Sequence, residues 1–365
     1  MDNNVHVLGD SAIEKPEEDL FNFRHYAEKV KFIIQRNANN PNPITIGIYG
    51  KWGEGKTSFL NLIEHKLDAF SSVNKKKGIL KYHFNPWRYS NEDEMSFDFY
   101  DGLSKLMFLK KEKNLKKVGE TVVNFSRYLK SIKLSSSFSI PLINKNKVKF
   151  EPGLFFEALG EDLKGDELTL DILKEKVNEA LEKANYKVVV FIDDLDRLDK
   201  DEIYSILKLI KLNANFRDFI YIITLDSEQV SKAISKRYGE DSKDGFSFLE
   251  KIINIPLLLP RIEKEDLKLF FEFKLKETKR SLTFIDNERK ELEFSEIAEN
   301  FRYNYFKSPR EILRVINSFF ISAFAIGDDV HLSDLFWLEY IKIKNEKCYN
   351  ILKFSRIIMH RENLF

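Results

Sequence analysis

One segment, Gly50-Lys51-Trp52-Gly53-Glu54-Gly55-Lys56-Thr57, has the spacing G-x-x-x-x-G-K-[ST] and runs into the helical-looking SFLNLIEHKL. That spacing suits phosphate. Glycines let successive amide N–H groups turn inward around phosphate oxygens, and the start of the following helix adds positive dipole. Lys56 is expected to reach the β and γ phosphates of a nucleotide, and the Thr57 hydroxyl to ligate Mg²⁺. Gly50, Trp52, Gly53, Glu54, Gly55, Lys56, Thr57 and Ser58 make up the expected nucleotide-binding set. A second segment, Tyr186-Lys187-Val188-Val189-Val190-Phe191-Ile192-Asp193-Asp194, ends an almost wholly apolar run in two carboxylates. Asp193 is expected to bind Mg²⁺ through water, and Asp194 to orient or deprotonate an attacking water. Two adjacent acids there point to hydrolysis rather than nucleotide storage. Asp194 also has a purely structural reading, as the cap of a helix predicted over residues 201–212, although Asp196 and Asp199 could cap it equally well.

Such side chains need a scaffold. At 365 residues the chain is long enough for about two domains and a large core. Apolar residues make up 43% and charged residues 32%, and the net charge is +1, which excludes a highly charged disordered chain and argues against a globally basic nucleic-acid coat protein. With one cysteine, Cys348, no intrachain disulfide is possible, and the six histidines form no zinc-finger spacing. No stretch reaches the roughly 20 apolar residues of a membrane span, and no secretory leader is read at Met1. A reducing, cytoplasmic setting is expected.

Apolar residues three or four apart between Pro16 and Arg36 read as a helix, broken by Asn39, Asn40, Pro41, Asn42 and Pro43. Five runs rich in β-branched or aromatic residues follow, at 44–49, 79–84, 188–192, 219–224 and 253–259. The first, third and fourth are almost continuously apolar, as expected of strands covered on both faces, and with the wide separation of the runs this predicts a parallel α/β sheet of five strands, sandwiched by crossover helices. After Pro260 the pattern is helical throughout: from 264 to about 277, near 294–301, 309–325 and 334–343. The predicted organisation is a helical lead-in over 1–43, a nucleotide-binding core over 44–260 containing a basic insertion at 102–165, and a C-terminal all-helical lid over 261–365.

The run at 79–84 lies in sequence between the phosphate loop and the acidic strand. That order resembles the additional-strand class of P-loop NTPases, in which a strand intervenes between the loop strand and the acidic strand. The N-K-x-D pattern of guanine recognition is absent, so adenine is the expected base and ATP with Mg²⁺ the expected cofactors. Further segments resemble the KAP family of P-loop NTPases, which is related to the STAND and AAA+ ATPases: DLFNFRHYAEKV, IGIYGKWGEGKTSFL, HFNPWRY, FIDDLDRL, ITLDSEQV, FLEKIINIPLLLP and SPREILRVINSF. The resemblance spans most of the chain. It implies Walker B roles for Asp193 and Asp194, and a phosphate-sensing position for Thr224 or Asp226. It also implies a lid arginine at Arg310, whose other reading is a surface arginine paired near Glu311. Arg197 has two readings, an arginine finger acting on a neighbouring subunit or an internal partner of Asp194 or Asp199. Asn85, Trp87 and Arg88 are candidates for the face near the γ phosphate, with Trp87 equally readable as a core anchor.

Many KAP proteins carry transmembrane helices between the loop helix and the acidic strand. This chain has an insertion there without apolar spans. Between Lys105 and Lys149 twelve basic residues face Glu112 and Glu120, and Val118, Val122, Phe125, Leu129 and Ile132 form a helical stripe. Phe138, Ile140 and Leu142 ahead of Asn144-Lys145-Asn146 suggest a hairpin. The element is read as a solvated face or as a surface for a protein partner, nucleic acid or an anionic membrane, with partner or nucleic acid preferred. The expected activity is that of an Mg²⁺-dependent ATPase working as a switch or motor, with phage defence implied by the resemblance. The alternatives are a nucleotide-gated scaffold and a nucleic-acid-stimulated ATPase, with a protein partner or homo-oligomer in either case.

Overall fold

Runs such as VVVFI and FIYIITL have no polar side chain on either face until their ends, so they are stable only where both faces are covered. The computed structural model describes residues 7–68, 77–89, 92–137, 169–238, 242–279, 282, 288–302, 304–327 and 329–359. It forms a sheet of five parallel strands: β1 (Ile44–Tyr49), β2 (Gly78–Phe84), β3 (Tyr186–Ile192), β4 (Phe219–Leu225) and β5 (Ile255–Leu258). Their order is β2-β3-β4-β1-β5. The strand that intervenes between β1 and β3 is therefore β4. The 79–84 run, which precedes the acids in sequence, forms an edge of the sheet. Alternation divides the central strands between two cores. Val188, Val190, Ile192, Tyr221 and Ile223 join one apolar cluster, while Val189, Phe191, Ile220 and Ile222 are buried on the other face.

Contacts divide the chain into two units. One comprises Arg24–Gly50 and Phe59–Leu259, and the other Met1–Phe23, Lys51–Ser58 and Pro260–Phe365. Helix α1 (Phe23–Arg36) precedes β1, and α2 (Lys56–Asp68) follows the phosphate loop. In the sheet unit, α3 (Glu92–Leu109), α4 (Lys113–Ser137) and α5 (Leu170–Ala184) pack together. The predicted stripe on α4 lies inside this group. Leu115, Val118, Val122 and Phe125 are all buried, and the Phe125 ring meets those of Tyr100 and Phe216 at 5.2 Å each. The stripe is thus core rather than a docking face. The suggested hairpin near Asn144 lies outside the described residues, as does the side chain of Ile132.

Helix α6 (Lys200–Lys208) passes into a π-helical segment, Leu209–Asn213, and α7 (Ser227–Tyr238) and α8 (Ser242–Glu250) complete the sheet unit. In the other unit, α9 (Lys264–Lys279), α10 (Glu288–Glu299), α11 (Pro309–Ile326) and α12 (Leu332–Lys344) enclose a phenylalanine-rich core around Phe271, Phe301, Phe306, Phe319 and Phe336. A further helix, α13 (Glu346–Met359), was not expected from the sequence. Its Ile351 and Phe354 are exposed, so no buried stripe marks its described side chains. No helix among the described residues is long and apolar enough to cross a membrane.

Candidate functional site

Residues 51–55 have to turn the chain from the end of β1 into α2. Gly53 and Gly55 adopt φ of +81° and +94°, backbone that side chains rarely tolerate, which explains glycine at both places. The loop is closed by the Lys51 amide, which donates to the Glu54 carboxylate at 2.7 Å, and by the Glu54 amide, which donates to the Lys51 carbonyl at 3.3 Å. Lys56 is buried, and its ammonium donates to the same Lys51 carbonyl at 3.4 Å, so the charge lies across the loop. The Ser58 hydroxyl accepts the Ile13 amide at 3.3 Å. A positive charge over a loop of left-handed glycines at a helix start is a donor set matched to phosphate oxygens.

Arg310 belongs to the same unit as this loop. Ser308 caps α11 by accepting the Glu311 amide, and Pro309 sets the first helical position, which leaves Arg310 in the first turn. Its guanidinium stands 5.3 Å from the centre of the Trp52 ring, and its Nε donates to Asp10 at 2.7 Å. A Cβ on Gly53 would come within 3.2 Å of the Arg310 Cβ and of the Ser308 hydroxyl. Glu311, the other proposed neighbour, instead takes the Lys344 ammonium at 2.6 Å and the Lys307 amide at 2.7 Å. Although burial alone would raise its pKa, these donors hold it below the ordinary value.

At the end of β3 the two acids are held differently. The Thr224 hydroxyl, fully buried at the end of β4, donates to Asp193 Oδ1. The Asp194 amide donates to Thr224 Oγ1 and to Asp193 Oδ1, both at 3.0 Å. Asp194 itself has φ of +55°, and its carboxylate pairs with Arg197 at 2.8 Å. Helix α6 is capped by Asp199, which accepts the Asp201 and Glu202 amides at 2.8 Å, so the capping reading of Asp194 does not hold. Of the two readings of Arg197, the described structure contains the internal pair with Asp194. Asp226 is taken up as well, accepting the Glu228 and Gln229 amides at the start of α7.

A cleft of about 760 Å³ borders the acids and is lined by Asp193, Asp194, Arg197, His83, Asn85 and Trp87 among others. Trp87 is half exposed, so it is not a core anchor. Asn85 accepts the Trp87 amide at 3.0 Å and shapes the turn that places it there. His83 escaped sequence reasoning. Its ring stacks on Phe191 at 4.9 Å, and Nε2 lies 2.9 Å from Glu64 of α2. Lys81 reaches the same carboxylate oxygen at 2.9 Å. Burial alone would raise the pKa of Glu64, yet the hydrogen bonds from His83 and Lys81 outweigh it and bring the value down to about 2. The signal in sequence was the alternation of Lys81 and His83 with apolar Leu80, Tyr82 and Phe84, which puts the two polar residues on one side of β2.

The sequence profile described as the KAP family P-loop domain matches residues 23–323. The chain belongs to this family. The phage T7 exclusion protein of Escherichia coli K12, a similar protein, is 26% identical over 93% of this chain, and the match covers 47% of that protein. This KAP chain thus spans about half the length of that relative. Among solved structures, the ORC2 protein of Aeropyrum pernix (ADPNP-ADP complexes) matches 91% of this chain and 70% of its own at 14% identity, with a TM-score of 0.43. A RuvB variant of Thermotoga maritima matches 93% and 76% at 14% identity, with a TM-score of 0.37.

Proposed function

We propose that this KAP chain binds ATP with Mg²⁺, hydrolyses it, and uses the state of the γ phosphate as a switch or motor. The observation that carries this reading is the division between the two acids: Asp193 is anchored by a buried hydroxyl, while Asp194, relieved of capping by Asp199, presents its carboxylate beside the cleft. In this assignment Gly50, Trp52, Gly53, Glu54, Gly55 and Ser58 shape the phosphate site, and Lys56 supplies its charge. Thr57, and Asp193 through water, hold the metal, while Arg310 adds positive charge from the first turn of α11. When bound, Mg²⁺ neutralises phosphate charge that builds up during transfer. Asp194 positions the attacking water and accepts its proton, and its ion pair with Arg197 must open for it to do so. Catalysis on this reading is positioning and electrostatics.

The phage-exclusion name of the Escherichia coli relative supports a role in phage defence, exerted through a protein partner or a second copy of the chain in the cytoplasm. The Asp194–Arg197 pair favours a second reading, a nucleotide-gated scaffold with slow turnover, because the guanidinium occupies the carboxylate that would have to reach an attacking water. ATP turnover by the wild type, Lys56→Ala and Asp194→Asn distinguishes the two. Loss of binding in Lys56→Ala, and loss of turnover with binding retained in Asp194→Asn, is the result expected of an ATPase. Nucleotide binding by the wild type without turnover, with or without DNA, makes the scaffold the correct reading.

A further inference from the structure

Residues 8–13 carry no regular secondary structure, yet they are fastened at three points. The Leu8 amide donates to the side-chain oxygen of Asn317 and the Leu8 carbonyl accepts from its side-chain nitrogen, both at 2.9 Å. Asp10 accepts the Arg310 Nε at 2.7 Å, and the Ile13 amide donates to the Ser58 hydroxyl at 3.3 Å. Arg310 and Asn317 stand two turns apart on α11 and so on one face of it. Ser58 lies in the first turn of α2. The segment is therefore a strap that runs along α11 and ends on the helix that follows the phosphate loop.

Two of the three fastenings use side chains assigned above to nucleotide, Arg310 and Ser58. Arg310 meets Asp10 through Nε, and its two terminal nitrogens make no hydrogen bond among the described residues. A phosphate group accepts two parallel bonds from a guanidinium and carries more charge than a carboxylate. Asp10 is half exposed, so its pair with Arg310 is weak and exchangeable. An incidental surface ion pair accounts for that contact alone. It gives no reason for an irregular segment pinned on both sides of it, at Leu8 and Ile13, which holds the carboxylate at the guanidinium as an intramolecular ligand of high effective concentration. We propose that Asp10 competes with nucleotide phosphate for Arg310, and that ATP binding releases the strap. This rests on the reading of Arg310 as a phosphate ligand and supplies the regulation of that site. Without nucleotide, Asp10 neutralises the guanidinium. With nucleotide, the phosphates take Arg310 and repel the displaced carboxylate, and occupancy is read out as the freedom of residues 8–13.

The test is calorimetric titration of the full chain with ATP and Mg²⁺, beside hydrogen exchange over residues 8–13. Asp10→Asn keeps the side chain's shape and deletes the competing charge, so it should bind ATP about two- to fivefold more tightly than the wild type. In an Arg310→Ala background the same substitution should change nothing. Exchange at the Leu8 and Ile13 amides should quicken when ATP is added to the wild type. Equal affinity of the wild type and Asp10→Asn overturns the competition. Weaker binding by Asp10→Asn also overturns it and makes Asp10 an aid that aims Arg310 at phosphate. A gain that persists in Arg310→Ala is general charge repulsion and has the same force. Exchange that ATP slows or leaves unchanged overturns the release. Absence of ATP binding in both the wild type and Asp10→Asn overturns the ATP reading itself and the strap with it, whereas ATP binding indifferent to Asp10 overturns the strap alone.

Discussion

Thr224 spends its single hydroxyl twice, donating to Asp193 and accepting from the Asp194 amide at 3.0 Å. It thereby fixes the carboxylate assigned to metal and the backbone of the residue assigned to water. Asp194 needs such support, since a left-handed φ of +55° costs a non-glycine residue on the order of 1 kcal/mol. Asparagine tolerates that conformation well, so Asp194→Asn removes charge with little change in backbone strain. Thr224→Val keeps the shape and deletes the hydroxyl. It should lower stability by about 1–2 kcal/mol and ATP turnover by roughly 10–100-fold, while Thr224→Ser restores turnover. Steady-state turnover beside a chemical melt checks this, and undiminished turnover in Thr224→Val would remove Thr224 from the metal site. A polar residue at the end of a buried strand was legible in sequence at Thr224. The partner of Arg197 was not, because an arginine three residues after one acid and two before another reaches either.

Between elements, Glu64 joins α2 to β2 by accepting from Lys81 and His83 at 2.9 Å each. Its folded pKa of about 2 lies below the ordinary 4.5, so its contribution to stability is complete above about pH 4.5 and is lost as pH falls toward 2. Glu64→Gln should therefore destabilise the protein by about 2 kcal/mol at pH 7, and the gap from wild type should narrow progressively from about pH 5 down to about pH 2. Urea melts across that range measure it. A constant gap would mean that packing rather than charge is responsible. The strands themselves were legible because runs such as VVVFI fit only a sheet covered on both faces. Their spatial order was not, since nothing local records that β4 separates β1 from β3. The α4 stripe shows a different limit: Val118, Val122 and Phe125 declare a buried face, but whether α3 and α5 or a membrane covers it depends on tertiary packing. In helix α13 Ile351, Leu352 and Phe354 are exposed, so periodicity had no core to report over those residues.

Over the whole molecule, the phosphate-loop residues Lys51–Ser58 group by contact with the C-terminal helices, although β1 and α2 on either side continue into the sheet unit. Arg310 over Trp52 is one of those contacts. A ligand that binds the folded loop alone stabilises the chain by mass action, about 2.7 kcal/mol at a hundred times its dissociation constant, or roughly 3–4 °C in a chain of this size. ATP with Mg²⁺ should therefore raise the melting midpoint of the wild type and of Asp194→Asn, and leave Lys56→Ala unmoved. Arg310→Ala should shift the nucleotide-free midpoint little, because the partly exposed Asp10 pair is worth about 0–1 kcal/mol. It should nonetheless shrink the rise with nucleotide, and Trp52 fluorescence, compared with a Trp52→Phe control, should report binding at the loop directly. If Arg310→Ala keeps the full nucleotide-induced rise and full turnover, its position over Trp52 is a packing contact, and phosphate charge must be met by Lys56 and the loop amides alone.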